Sequence, residues 1–154
     1  MRRIALDDVP ETEYRSPKGF FCQLSKEISI HLGARENEPH RHPFELEYTV
    51  VPPGKRHCPY HAHTAQTELY YVVSGTGKAR YPGGMETLKA GDAIIFPPGE
   101  AHQIINDSEE PLVYLVIADN PPRDGAYYPD SDKWYLPPIG DFRFTTVDYH
   151  DGEE

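Results

Sequence analysis

Three histidines and one glutamate in this sequence have the types and the spacing that metal binding requires. His61 and His63 are separated by one residue, Glu68 follows them closely, and His102 lies further along the chain. On a β-strand, residues two apart point to the same face, whereas on a helix they lie about 200° apart. The His61 and His63 pair can therefore bind a single ion only if it lies on a strand.

The surrounding sequence predicts strands that would bring these four side chains together. Residues 64–67 are short enough to form a hairpin turn, so that Glu68 begins the next strand close to His63. A turn at residues 97–100 precedes His102, which begins another strand. Three imidazoles and one carboxylate favour Fe, Mn, Ni, Co, Cu or Zn over Mg or Ca, and the sequence selects none of these candidate ions over the others.

Short strands separated by turns account for most of the chain. Apolar and polar residues alternate over residues 44–50, which is the period of a half-buried strand, and β-branched or aromatic runs follow at 69–73, 93–96, 102–105 and 112–117. The alternation of Ile28, Ile30 and Leu32 predicts a further strand. Because the chain also has 16 prolines and 12 glycines and no helical periodicity, we expect an all-β sandwich or barrel.

The chain divides into three segments by composition. Residues 1–43 are predicted to form an arm with lead-in strands, residues 44–118 the barrel core, and residues 119–154 a tail rich in proline and aromatic residues. So many prolines argue against core strands in the tail. Its aromatic residues nevertheless predict packing on the barrel or on a second subunit; they are Tyr127, Tyr128, Trp134, Tyr135, Phe142 and Phe144.

Charge and composition exclude several classes of function. A formal net charge of -10 disfavours binding to a nucleic-acid backbone. No apolar run is long enough for a membrane span, and no apolar stretch follows the basic N-terminus as in a signal peptide, so we expect a cytoplasmic location. The two cysteines, Cys22 and Cys58, fit neither a disulfide framework nor a zinc motif and are expected to be free thiols.

Glycine, proline and asparagine residues around the histidines complete two longer patterns. The first is Gly54…His61-Ala62-His63…Glu68…Gly75, and the second is Gly91…Pro97-Pro98-Gly99…His102…Asn106. They resemble the two signature motifs of the cupin superfamily; the second matches in every interval, and the first has one additional residue after its glycine. The resemblance covers about residues 44–118. The ends are similar to a poorly characterised cupin group with a Tyr-Tyr-Pro-Asp-Ser tail, here residues 127–131.

The resemblance implies a single-domain double-stranded β-helix, or jelly-roll barrel, that holds one divalent transition metal through His61, His63, Glu68 and His102. It implies a metal-dependent enzyme acting on a small organic molecule by dioxygenation, isomerisation or decarboxylation. The alternative is a non-catalytic protein that binds a sugar or an organic acid, and a structural or storage role is less favoured. The N-terminal arm and the aromatic tail also fit a homodimer.

Other side chains receive narrower predictions. By strand parity, Tyr70 and Ile104 face the barrel interior, either as core residues or as walls of a pocket above the metal, whereas Cys58 points away from it. Asn106 is expected to form a turn or to donate a hydrogen bond to a metal-binding side chain, and not to bind the metal itself. The remaining histidines are expected at the surface; they are His31, His40, His42, His57 and His150, and His57 is the strongest candidate for an exception. No catalytic residue is assigned.

Overall fold

The structure is a computed structural model that describes residues 1–33 and 43–146. In these ranges the chain is almost entirely β, which confirms the expected fold class. The helical elements are a 3-10 turn at Leu6–Asp8 and α1 at Ile28–His31. The strands are β1 Thr12–Arg15, β2 Cys22–Glu27, β3 Phe44–Val51, β4 Ala62–His63, β5 Glu68–Ser74, β6 Thr76–Tyr81, β7 Gly84–Lys89, β8 Ala93–Phe96, β9 Gln103–Ile105, β10 Leu112–Asp119, β11 Ala126–Tyr128, β12 Lys133–Leu136 and β13 Gly140–Phe142. No helix in the described part of the chain has the length and hydropathy needed to cross a bilayer.

A six-stranded antiparallel sheet forms one wall of the barrel, in the order β1-β2-β3-β10-β5-β8. Its inner face carries aromatic and aliphatic side chains. Tyr70 and Tyr114 are each 1% exposed and pack with Val72 and Leu112 in the main core cluster. Burial of these side chains follows from the period-two pattern that the sequence displays over β5 and β10.

Two smaller sheets together form the opposite wall. One has the order β7-β6-β9 and the other β13-β12-β11-β4. They meet where His61 pairs with His102, the residues that directly precede β4 and β9. The junction of the two sheets is therefore built from two of the histidines singled out by the sequence.

The structure corrects one prediction about the ends of the chain and adds detail to another. Residues 28–31 form a helical turn rather than a strand, because Ile28 and Leu32 are also four residues apart and both lie half-buried while Ile30 is 42% exposed. The tail contains strands, β11 to β13, in which only Ala126 is buried. Its prolines lie before β11 or in the connections between the three strands, where they remove no ladder hydrogen bond. The tail packs on the barrel through pairing of β11 with β4.

Candidate metal centre

Three adjoining segments carry the four candidate ligands. His61 and His102 face each other in antiparallel register, and their backbone N–H groups donate to each other's carbonyls at 3.1 and 2.7 Å. His63 ends β4, and Glu68 begins β5 after the connecting turn. Because strand pairing fixes the backbones, the side chains project to one region at the end of the barrel.

The ligand atoms of these side chains lie close together. One nitrogen each of His61 and His63 and one oxygen of Glu68 all lie within 4.8 Å of one another. The His61 and His63 Nε2 atoms are 3.1 Å apart, and His63 Nε2 is 3.7 Å from Glu68 Oε2. His102 Nε2 approaches the same Glu68 oxygen at 2.6 Å. The structure thus brings all four predicted residues to one place, with Glu68 Oε2 in contact with two of the imidazoles.

Each of the three imidazoles has an oxygen acceptor behind it. His61 Nδ1 lies 2.9 Å from the carbonyl of Pro59, and His102 Nδ1 lies 3.2 Å from the carbonyl of Glu100. His63 Nδ1 lies 2.6 Å from Asp124 Oδ2. An oxygen acceptor at Nδ1 favours a proton on that nitrogen, so Nε2 is the nitrogen that each ring would offer to a metal. The donor set therefore fits a divalent transition metal.

Glu68 is held in its ionised form by its neighbours. Burial alone would raise the pKa of this carboxyl group, but the hydrogen bond with His102 and the nearby His63 outweigh burial and lower the pKa to about 2. Tyr70 donates a hydrogen bond from its buried hydroxyl to Glu68 Oε2 at 2.9 Å. Phe96 stacks on His102 with 4.2 Å between ring centroids and fixes the plane of that imidazole.

Tyr70 and Ile104 both face the interior, as parity predicts. Ile104 is 1% exposed and belongs to the main core cluster, whereas Tyr70 contacts the site through its hydroxyl. Their role as pocket walls stays a prediction. Asn106 is a turn residue: its buried amide donates to the carbonyls of Val51 and Glu110 and ties β3 to the connection that follows β9.

Residues 57–60 form no strand, so strand parity does not apply to them. The expectation that His57 lies at the surface is wrong, and His57 is the exception that the sequence allowed. His57 is half-buried rather than exposed; its Nδ1 is shielded and has no hydrogen-bond partner among the described residues, and burial lowers its pKa to about 4. Cys58 is a free thiol whose Sγ lies 3.5 Å from His61 Nδ1, behind the imidazole and not on the Nε2 side that faces Glu68. His31 is exposed as expected, and His40, His42 and His150 lie outside the described residues.

Asp124 is a site residue that sequence reasoning missed. It lies in the connection between β10 and β11, and no local spacing relates it to His63. The aromatic tail predicted only that this segment packs on the barrel. Burial would raise the pKa of Asp124, but hydrogen bonds from His63 and from the backbone N–H groups of Ala65 and Gln66 lower it.

A cleft of about 1020 Å³ opens beside His61 and His63. The tail supplies much of its wall through residues 121–126, Tyr128 and 135–139. Glu45 and the turn between β4 and β5 complete the lining. A small organic molecule in this cleft would lie within reach of the two imidazoles.

Comparison with known proteins identifies the family. Residues 47–118 match the family described as "Cupin domain". The chain belongs to the cupin superfamily. The fold of this cupin is shared by solved structures over nearly its whole length: a candidate sugar phosphate isomerase from Acidithiobacillus ferrooxidans is 25% identical, with a TM-score of 0.73 over 92% of each chain.

Two curated relatives of more than 30% identity match this cupin over shorter stretches. Gentisate 1,2 dioxygenase 1 of Aquipseudomonas alcaligenes is 36% identical over 73 residues, which are 47% of this chain and 20% of the dioxygenase. The oxalate-binding protein of Thermotoga maritima is 33% identical over 67 residues, 44% of this chain and 54% of that protein. The chain thus spans about a fifth of the length of the dioxygenase and about half of the length of the oxalate-binding protein.

Proposed function

We propose that this cupin is a metal-dependent enzyme that binds one divalent transition metal through His61, His63, Glu68 and His102 and acts on a small organic molecule. The observation that carries the proposal is the arrangement of the imidazoles: each Nδ1 has an oxygen acceptor, and each Nε2 lies on the side of Glu68, with His102 Nε2 hydrogen-bonded to Glu68 Oε2. A bound ion supplies a Lewis acid for a substrate oxygen or activates water or dioxygen.

The ligand set is tested by elemental analysis and metal titration. Purified protein should contain one transition metal per chain, and His61→Ala should lose that metal while keeping the far-ultraviolet circular dichroism of the wild type. His31→Ala is the matched control, because His31 is exposed and lies on α1 away from the site. Unchanged metal content in His61→Ala would refute the ligand assignment.

Isomerisation of a phosphorylated sugar is the reaction we place first. The relative described as a sugar phosphate isomerase aligns over 92% of this chain, so the alignment includes much of the tail that walls the cleft, whereas the dioxygenase match covers 47%. Arg123 also lines the cleft, and among the described lining residues it is the only Lys or Arg. A guanidinium at this place fits a phosphate or carboxylate group.

The reaction is tested with a panel of sugar phosphates, oxalate and gentisate, each offered to the protein loaded with Mn²⁺, Fe²⁺, Ni²⁺, Co²⁺, Cu²⁺ or Zn²⁺. Interconversion of an aldose phosphate and a ketose phosphate, lost in His61→Ala, is the expected result. Oxygen consumption with gentisate, or loss of oxalate, with no change in any sugar phosphate would overturn this choice of reaction.

A non-catalytic binding protein is the second candidate, because one relative is named as an oxalate-binding protein. The two candidates differ in turnover. A binding protein would give a saturable calorimetric signal with a small acid or sugar and would return that ligand unchanged from every metal-loaded form.

We also propose that the protein forms a homodimer through the outer face of the six-stranded sheet. Tyr71, Val73, Ile95 and Ile117 lie on this face and are 43%, 43%, 59% and 37% exposed. The segments outside the described residues are poorly suited to cover it: residues 34–42 contain no large apolar side chain, and residues 147–154 carry four acidic ones. An exposed apolar sheet face can pair with the same face of a second copy.

Light scattering coupled to gel filtration tests the dimer. The expected mass is twice the 17.5 kDa of one chain, and Ile95→Lys should give the monomer. Met85→Lys is the matched control, since Met85 is also 59% exposed but lies on β7 in another sheet. A monomeric wild type, or a dimer that Ile95→Lys leaves intact, would contradict this interface.

A further inference from the structure

Asp124 uses its two carboxylate oxygens for different partners. Oδ1 accepts hydrogen bonds from the backbone N–H groups of Ala65 and Gln66 at 2.8 and 3.1 Å and from the Thr64 hydroxyl at 3.2 Å. Oδ2 faces His63 Nδ1 at 2.6 Å. Three donors on one oxygen fix the orientation of the carboxylate, so the other oxygen is held against the imidazole.

The acceptor behind His63 differs in kind from those behind the other two imidazoles. His61 and His102 face the backbone carbonyls of Pro59 and Glu100, which lie two residues before each of them. His63 instead faces a side chain 61 residues away, outside the stretch that matches the cupin domain family. The chemistry of this one acceptor can therefore be changed by mutation, whereas a backbone carbonyl cannot.

We propose that Asp124 is a positioning residue that sets the tautomer and the ring orientation of His63. Its carboxylate keeps the proton on Nδ1 and turns the Nε2 lone pair toward Glu68. The tail thereby both walls the cleft and prepares one ligand of the metal centre. The role of Asp124 in metal binding rests on the proposed function. Its control of the His63 tautomer rests only on the contact between the two side chains.

Asp124→Asn is the informative variant because the direction of its amide is determined by the turn. Its oxygen must face the three donors from residues 64–66, so its NH₂ group faces His63 Nδ1. An NH₂ donor requires Nδ1 as acceptor and moves the histidine proton to Nε2, where it blocks a metal. The same exchange of carboxylate for amide behind a histidine produces the wrong tautomer in serine proteases.

The experiment has two readouts. Long-range ¹H–¹⁵N correlation spectra of chelator-treated protein, recorded at mildly alkaline pH, report which His63 nitrogen carries the proton; we expect Nδ1 in the wild type and Nε2 in Asp124→Asn. Calorimetric titration with Co²⁺ should show affinity about 10- to 100-fold weaker in the variant. Thr64→Val is the matched control: it removes a hydrogen bond to Oδ1 but leaves Oδ2, so it should keep the wild-type tautomer and bind Co²⁺ more tightly than Asp124→Asn does.

Two results would overturn the inference. One is a proton on Nε2 of His63 in the wild type. The other is an Asp124→Asn protein that keeps the proton on Nδ1 or binds Co²⁺ as tightly as the wild type. If the wild type bound no divalent ion, the proposed function would fail, and the spectra would still decide whether Asp124 sets the tautomer.

Discussion

Replacing His57 by phenylalanine tests the electrostatics of the barrel interior. The His57 ring lies 5.8 Å from that of Tyr114, and its shielded Nδ1 has no hydrogen-bond partner in the described chain. Burial lowers the pKa of His57 from 6.5 to about 4, with Glu68 raising it and His102 lowering it further. Phenylalanine keeps a ring at this position and removes the titration.

The magnitude follows from linkage between protonation and folding. Between pH 6.5 and about 4 the unfolded chain binds a proton at His57 that the folded protein does not bind. Stability must therefore fall as the pH is lowered through this window. A difference of about 2.5 pH units at 1.36 kcal/mol per unit corresponds to about 3 kcal/mol. This value is an upper bound, since the His57 side chain is only half-buried as a whole.

Urea unfolding of chelator-treated protein at a series of pH values measures this effect without metal linkage. The wild type should lose up to about 3 kcal/mol more stability than His57→Phe when the pH falls from neutral to about 4. His61, whose pKa burial also lowers to about 4, contributes equally to both proteins. His31→Phe is the control; because His31 is exposed, its curve should run parallel to that of the wild type.

Parallel curves for the wild type and His57→Phe would refute this reasoning. So would an NMR titration that places the pKa of His57 near 6.5. Either result would mean that water reaches the ring freely and that the imidazole is not desolvated in the folded protein.

Three further substitutions have defined outcomes. Tyr70→Phe removes the hydroxyl that donates to Glu68 and should cost about 1–2 kcal/mol in urea unfolding and weaken Co²⁺ binding in calorimetry. Asn106→Ala removes the donor to the carbonyl of buried Val51, whereas the Glu110 carbonyl keeps the Ser108 hydroxyl, so thermal unfolding should show a loss of about 1–3 kcal/mol. Gly75→Ala should destabilise more than Gly54→Ala, because both have positive φ but only the Gly75 Cβ would collide with a backbone oxygen, that of Pro111. Equal midpoints in urea would contradict this contact.

Local patterns in the sequence were enough to predict much of the fold. The all-β class and strands β3, β5, β8 and β10 were predictable because side-chain alternation and turn residues act over a few neighbouring positions. The spacing of His61 and His63 likewise indicated a shared strand face, and Glu68 does begin the next strand. Strand β7 was missed, since Gly84–Lys89 has a single buried residue, Leu88, and little apolar alternation.

The sequence by itself indicated which four residues are candidate ligands and that they lie on or directly before strands, because strand period and turn chemistry are local. Only the tertiary structure decided which groups contact the other side of each imidazole ring. Asp124 reaches His63 because β11 pairs with β4. His57 is shielded because its ring packs against the buried Tyr114 of β10. Both depend on contacts between residues far apart in the chain, whose spacing no local periodicity records.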